Sequence, residues 1–296
     1  MKSKLFIAAL VLLPNVLHAQ DFRSRFRELG AQDDTTATLN LLNTWRKAAP
    51  NDPELYVAFY NFYAKEGLKE VISIEQNQHG GQSLEMKDST GKVAGYINSR
   101  PGFNATLINK GFKYIDTGIV KFPARLDMRF GKVYIMGKGE MFNEFTQEII
   151  KAIEYGESIG LKWTWTDNKS LEKPKEFMLK TIQSYVYQLL NVGDKQAGNI
   201  RLIAEKVLKY HPDHVESLSN LAVTYMISKD YSRALESLLK AENLAPQDFI
   251  VLNNIAYSYA ATGDKQNAIK YYELVIKYGD EAAQKNAKEK IKNLKK

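Results

Sequence analysis

The amino-acid sequence predicts an all-α fold, a solenoid of stacked helix pairs that carries a small β-hairpin or three-stranded meander near residues 68–103. Two observations favour this fold class. The tetrapeptide GDKQ occurs twice, at 193–196 and 263–266, each time before a stretch with helical spacing of apolar residues. Pro212 and Pro246 lie 34 residues apart, each after such a stretch. A fixed period of this length is typical of proteins built by stacking one supersecondary unit.

The first 19 residues predict a secretory signal peptide. Lys2 and Lys4 form a basic start, an apolar run over residues 5–17 follows, and the small Ala19 precedes the expected cleavage point. The run is too short to span a bilayer and contains Pro14. We therefore expect a periplasmic or secreted protein that is not integral to the membrane. Because the sequence contains no cysteine, lipid modification of an N-terminal cysteine is not expected either.

Composition and charge limit the classes of partner. The chain has 296 residues, of which 44% are hydrophobic and 25% charged, as in globular and repeat proteins. Without the two lysines of the leader, the formal charge falls from +7 to +5, and the excess lies largely in the segment 281–296. This basicity serves either solvation or a weak attraction to an anionic envelope surface. Export argues against a nucleic-acid partner.

The segment 215–246 defines the repeat that much of the chain follows. Counting from Val215, large residues occupy positions 4, 7, 11 and 24, small residues occupy positions 8, 20 and 27, and proline occupies position 32. These residues are Leu218, Leu221, Tyr225 and Leu238, then Ala222, Ala234 and Ala241, then Pro246. Small residues allow two antiparallel helices to approach closely, and large ones fill the gaps. The pattern resembles the tetratricopeptide repeat, which implies a right-handed α-solenoid.

The same pattern continues in phase on both sides of this unit. The residues 34 positions further on are Leu252, Ile255, Ala256, Tyr259, Ala268, Tyr272 and Val275. The unit that ends at Pro212 fits after a two-residue shift in its first helix. We therefore expect three units, at 179–212, 213–246 and 247–280, followed by an amphipathic capping helix at 281–296.

Looser copies of the pattern lie nearer the N-terminus. The matching residues are Tyr56, Phe59, Tyr60 and Tyr63 in one copy and Phe130, Gly131 and Tyr134 in another. They predict degenerate helices at 20–67 and further repeat-like helices at 104–157. The insertion 68–103 separates them, because alternating apolar and polar residues around the turn DSTG indicate strands. A second irregular segment covers 158–178.

The stretch HPDH at 211–214 raises the question of a metal site. Two histidines three residues apart could chelate zinc on one helical turn, but Pro212 prevents a shared regular helix. A zinc site also needs three or four ligands, and the only other histidine after the leader is His79. We interpret the stretch as a turn between two repeats and expect no metal.

No catalytic motif accompanies the repeats. The sequence lacks a GxSxG elbow, a Walker motif and a dinucleotide fingerprint. The tripeptide HGG at 79–81 is weak evidence of an oxyanion hole, because no nucleophile motif accompanies it. We therefore expect no enzymatic activity and no cofactor.

The resemblance implies that partners bind in a concave groove lined by first-helix residues. Carried over to this sequence, these are Glu216, Ser219, Asn220, Val223, Met226, Ile250, Asn253, Asn254 and Tyr257. Asn220 and Asn254 either bond the backbone of a bound peptide or only the adjacent repeat. Ile250 stands where a carboxylate clamp would need a basic residue.

Two functional hypotheses follow. The leading one is an exported, non-enzymatic scaffold that binds a protein or peptide of the cell envelope or secreted fraction through this groove. The alternative is a small-ligand or glycan-binding protein that uses the insertion and the region of Trp163 and Trp165, whose aromatic faces motivate it.

Overall fold

The computed structural model of the chain describes residues 19–78, 82–100 and 102–296. The predicted signal peptide therefore lies outside the described residues, except for Ala19, where the first helix begins. The chain divides into two compact units between Phe122 and Pro123. That division falls inside the segment 104–157. Among the described residues, no α-helix combines the length and apolar composition that a bilayer crossing requires.

The described residues of the N-terminal unit form four α-helices and one sheet. The helices are α1 (Ala19–Ala31), α2 (Thr35–Ala48), α3 (Pro53–Gly67) and α4 (Ala105–Lys121). Aspartate side chains start α2 and α3, since Asp34 accepts a hydrogen bond from the Ala37 backbone N–H and Asp52 from that of Glu54. Buried aromatic rings hold α1 to α2, with Phe22 stacked on Trp45 at 5.5 Å between ring centroids.

The sheet is inserted between α3 and α4. Its strands are β1 (Val71–Glu75), β2 (Gln82–Lys87) and β3 (Val93–Arg100), in the order β1–β3–β2, and both pairings are antiparallel. The predicted hairpin is present as β2 and β3. A meander would place β2 in the centre, so that alternative was wrong. The chain enters and leaves the insertion at one point, because the Asn104 backbone N–H donates to the Gly67 carbonyl at 2.7 Å.

One face of this sheet is apolar and exposed. Ile74, Ile97 and Leu84 lie directly opposite one another across the three strands. Ile74 is 70% exposed and Leu84 is 69% exposed. Where the insertion returns towards α4, Gly102 is required, because a Cβ atom there would lie 2.1 Å from the Lys69 carbonyl oxygen.

The C-terminal unit contains nine α-helices in the part of the chain described. They are α5 (Leu126–Lys138), α6 (Phe142–Ser158), α7 (Pro174–Val192), α8 (Ala197–Tyr210), α9 (Val215–Ile227), α10 (Tyr231–Leu244), α11 (Phe249–Ala261), α12 (Lys265–Tyr278) and α13 (Glu281–Leu294). Helices α9 and α10 pack as a pair, as do α11 and α12, and α13 packs against α12. The predicted fold class, an all-α solenoid of helix pairs with a small inserted sheet, is confirmed.

The repeat positions form the core of this unit. Ala222, Ala234, Leu238 and Ala241 are fully buried, as are their counterparts 34 residues further on, including Ala256. Ala222, Ala234, Leu238, Ala241 and Ala256 belong to one hydrophobic cluster that runs from α9 to α13. Removing this apolar surface from water stabilises the packed repeats by roughly 25 cal/mol per Å².

The HPDH stretch forms the joint between α8 and α9. His211 ends α8, since its backbone N–H bonds the Val207 carbonyl at 2.8 Å, and His214 is the residue that precedes α9. The His211 side chain is buried and points its Nε2 atom at Glu157 of α6, at 2.9 Å. The two histidines therefore contact different elements.

Candidate functional site

The first helices α7, α9 and α11 border two cavities. The larger measures about 850 Å³ and the smaller about 290 Å³. Gln183 and Glu216 line both, so the two cavities are neighbours on one surface. We call this surface the first-helix groove. The residues of the smaller cavity are Gln183, Tyr187, Leu190, Val215, Glu216, Ser219, Asn220, Asp248, Ile250 and Val251.

The larger cavity lies where α7 begins. Its lining consists of Gly160, Leu161, Lys173, Pro174, Lys175, Glu176, Leu179, Lys180, Gln183, His214 and Glu216. Leu161 and Leu179 supply apolar surface, and three lysines stand around it. A volume of this size is within the range of ligand-binding clefts, about 300–1,000 Å³.

Large apolar side chains are exposed along the groove. Tyr187 is 65% exposed and Ile250 is 57% exposed, and both line the smaller cavity. Tyr257, about two helical turns beyond Ile250 on α11, is 44% exposed and lies against the Tyr231 ring. Such residues can bury substantial apolar area when a partner covers them.

Polar side chains connect the neighbouring first helices. Asn220 Nδ2 on α9 donates a hydrogen bond to Gln183 Oε1 on α7, at 2.5 Å. Gln183 Nε2 donates in turn to Ser217 Oγ at 3.3 Å. Between α9 and α11, Asn254 Nδ2 donates to Ser219 Oγ at 3.4 Å. These bonds fix the spacing of the three helices and therefore the width of the groove.

His214 lies at the junction of the larger cavity with α9. Its Nδ1 atom is 2.9 Å from Ser217 Oγ, and its Nε2 atom is 3.3 Å from Glu216 Oε2. Burial lowers the pKa of His214 below its ordinary value, although the Glu216 carboxylate opposes this shift. His214 is thus a polar residue of the groove wall, and its surroundings favour the neutral imidazole.

The family model described as the tetratricopeptide repeat matches residues 215–248 and 250–278. The region 215–278 therefore matches two tetratricopeptide repeats. These two matches cover α9 to α12, the helices whose register the sequence predicted most regularly.

Several solved structures are similar to the chain over most of its length. The C-terminal part of a tetratricopeptide repeat-containing protein from Cytophaga hutchinsonii is 18% identical, with a TM-score of 0.42, and the match covers 87% of this chain and 78% of that one. PilW, a type IV pilus biogenesis factor, is 12% identical, with a TM-score of 0.38 over 90% of this chain and 96% of PilW. MamA from Desulfovibrio magneticus RS-1 is 11% identical, with a TM-score of 0.31 over 88% of this chain and 94% of MamA. At these TM-scores the likeness carries no information about function.

Four of the nine predicted tetratricopeptide groove residues line the cavities. Glu216 lines both, and Ser219, Asn220 and Ile250 line the smaller one. The remaining five, which lie outside both linings, are Val223, Met226, Asn253, Asn254 and Tyr257. Asn220 and Asn254 bond the neighbouring first helix, which was one of the two roles considered for them.

Sequence reasoning missed the contribution of α7 to the groove. Gln183, Tyr187 and Lys180 line the cavities, but the two-residue shift in this unit hid their repeat positions. The available signal was Tyr187 itself, because a large aromatic residue between the apolar core positions of an amphipathic helix marks an exposed face.

Both tryptophans of the second irregular segment pack against other side chains, Trp163 fully buried and Trp165 half-buried. Trp163 is 1% exposed and packs on Gly156 of α6, with the Arg129 guanidinium 5.7 Å from its ring. Trp165 makes an edge contact with Phe177 at 5.1 Å. The alternative hypothesis needed exposed faces for glycan stacking, and Trp163 offers none.

Proposed function

We propose that this chain is an exported, non-enzymatic scaffold that binds a segment of a protein partner in the first-helix groove. The observation that carries the proposal is the exposure of Tyr187 and Ile250 beside the cavities. Interface energy is concentrated in a few residues, among which tyrosine is enriched, that become buried in pockets at the centre of a contact. Two such residues on the first helices of the groove suit a peptide that lies across α7 and α11.

The chemistry of the groove defines the segment it takes. An apolar side chain of the partner enters the larger cavity against Leu161 and Leu179, because these residues provide its apolar wall. The hydrogen bonds of Asn220 and Gln183 hold the groove open before the partner arrives. Pre-ordering of this kind lowers the entropic cost of binding.

Export rests on the leader sequence alone. The basic start, the short apolar run and Ala19 favour cleavage before Gln20 and delivery to the periplasm or the medium. The partner is accordingly a protein or peptide of the cell envelope or secreted fraction. Fractionation of the producing cells, with mass spectrometry of the mature N-terminus, tests this part; recovery of an uncleaved chain in the cytoplasm contradicts it.

Groove binding is tested by crosslinking and affinity capture from envelope extract with the chain 20–296. The test variant is Tyr187→Ser with Ile250→Ser. The matched control is Leu202→Ser with Leu244→Ser, because these leucines are 46% and 47% exposed and line neither cavity. We expect the control to retain the partner and the groove variant to lose it, with at least about a tenfold weaker Kd for the purified pair. Equal capture by both variants refutes the proposal.

A further inference from the structure

The positive charge of the chain is concentrated in its last helix. Residues 20–296 carry a formal charge of +5, and residues 285–296 contain six lysines and one glutamate, which also give +5. Basic and acidic residues therefore balance over residues 20–284. The whole excess of positive charge lies on residues 285–296, so the electrostatic potentials of these lysines add together there.

The structure places these lysines on the outer side of α13. Ala287 is fully buried, and Ala283, Ile291 and Leu294 pack against the core cluster, so this stripe of the helix faces the protein. The lysines of the segment are all exposed, and they are Lys285, Lys288, Lys290, Lys292, Lys295 and Lys296. Four of them follow one another at spacings of three and four residues, which aligns them along one face of a helix. These four are Lys285, Lys288, Lys292 and Lys295.

None of these lysines is neutralised by a close carboxylate within the part of the chain that the structure describes. The salt bridges of the C-terminal unit lie elsewhere, for example between Arg233 and Asp230 at 2.5 Å. Glu289 is exposed on the same helix without a bridge to a lysine. The helix dipole favours cations in the last turn, but Lys285 and Lys288 lie in the first two turns, where this stabilisation does not apply.

The composition of the surface selects among anionic partners. Nucleic-acid sites combine Arg and Lys with aromatic rings that stack on bases, and energetic centres of protein interfaces are rich in Trp, Tyr and Arg. Residues 285–296 contain no arginine and no aromatic residue. An array of lysines alone supplies flexible point charges and no apolar anchor. Such an array matches a plane of anionic lipid headgroups, because binding there requires no defined shape or orientation of the contacting groups.

We infer that the exposed lysine face of α13 docks the protein on the surface of an anionic lipid bilayer. Attraction is electrostatic only, because the apolar stripe of the helix is already used in the core. The protein lies on the headgroups without insertion. Docking is independent of the first-helix groove, so the groove stays available to a partner at the same surface.

The inference is tested by vesicle co-sedimentation of the chain 20–296. Vesicles of equal parts phosphatidylglycerol and phosphatidylcholine are compared with pure phosphatidylcholine, at about 50 mM and about 500 mM NaCl. We expect binding only to the anionic vesicles and only at low salt. Each lysine at the surface contributes about a fivefold change in affinity, so replacing four weakens binding by on the order of 100-fold or more.

A matched pair of variants distinguishes the effect of the local lysine face on vesicle binding from the effect of net charge. The first variant replaces Lys285, Lys288, Lys292 and Lys295 by glutamine. The second replaces four exposed lysines dispersed over other helices and loops, which are Lys110, Lys162, Lys195 and Lys240. Both variants lose the same formal charge. Glutamine keeps helix propensity close to that of lysine, and circular dichroism verifies that both stay folded.

Loss of vesicle binding in the first variant alone supports the inference. Equal loss in both variants, or no loss in the first, overturns it. Binding to neutral vesicles at high salt overturns it as well, because that result indicates apolar insertion. Tighter binding of duplex DNA or polyglutamate than of anionic vesicles, at the same salt concentration, overturns the assignment to lipid.

Discussion

Replacing Gly156 by alanine is expected to destabilise the C-terminal unit, although alanine is the better helix former. Gly156 lies in α6, and a Cβ atom there would be 2.8 Å from Trp163 Nε1 and 2.9 Å from Trp163 Cζ2. Trp163 is 1% exposed, so other atoms of the protein enclose its ring and would have to shift with it. The clash therefore tests whether the second irregular segment is packed as part of the core.

The magnitude follows from two opposing effects. Alanine in place of glycine within a helix stabilises by about 1 kcal/mol, and overpacking of a filled core costs about 1–3 kcal/mol. Gly156 is close to the end of α6, which reduces the helix gain. We expect a net loss of roughly 1–2 kcal/mol, or about 2–8 °C in Tm for a unit of this size.

The assay is urea and thermal unfolding followed by circular dichroism. Gly198→Ala is the matched control, because Gly198 also lies in a helix but an added Cβ atom there would have no neighbouring atom within 4 Å. It should stabilise by about 0.4–1 kcal/mol. Trp163→Phe removes the indole atoms that meet the new methyl group, so in that background Gly156→Ala should cost at least about 1 kcal/mol less. If Gly156→Ala stabilises as much as Gly198→Ala, the described packing of Trp163 is wrong.

Three further perturbations have definite expected outcomes. Leu238→Ala should cost about 2–5 kcal/mol of unfolding free energy, because Leu238 is fully buried, and Leu244→Ala, at a 47% exposed position, should stay within about 0.5 kcal/mol. Asp248→Ala should cost about 0.5–2 kcal/mol, since this carboxylate accepts hydrogen bonds from the first backbone N–H groups of α11; Asp248→Asn should retain most of the stability. Because burial places the pKa of His214 below the ordinary value of 6.5, the unfolded chain binds this proton more readily. The stability that His214 contributes is therefore complete above about pH 6.5 and is lost as the pH falls through the lower pKa of the folded state. Over this range the free energy of unfolding should change by at most about 1.4 kcal/mol per pH unit. Urea titrations at several pH values measure this slope, and an unchanged slope in His214→Gln contradicts the prediction.

The repeat architecture was predictable because its determinants are local. Leu218 and Ala222 occupy one face of a helix at a spacing that is visible in the sequence, and both are buried. Pro212 and Pro246 fixed the register independently of any tertiary contact. The joint at HPDH followed from the same count, since a repeat boundary had to fall there.

Features that depend on distant contacts were not predictable from one sequence. The sequence identified 158–178 only as an irregular segment, because the burial of Trp163 depends on contacts with Gly156 and Arg129 in other elements. The strand order β1–β3–β2 likewise depends on how the chain crosses between β1 and β2. A period-two pattern identifies strands but does not state which strand lies in the centre.

The candidate groove was predictable only where the repeat is regular. On α9 and α11, repeat positions identified Glu216, Asn220 and Ile250, which line the cavities. On α7 the register shift concealed Gln183 and Tyr187. A groove combines side chains from several helices, so an error in the register of one helix removes its whole contribution.

The hydrogen bond between Gly67 and Asn104 makes the inserted sheet a self-contained module. Helices α3 and α4 meet at the point where the insertion starts and ends, at 2.7 Å between the backbone N and O atoms. Closing that gap with a short turn would leave a plain helical hairpin, and the cost of a longer connection rises only slowly with its length. We therefore expect this position to accept other folded elements in place of the sheet while the helix pair that carries it stays intact.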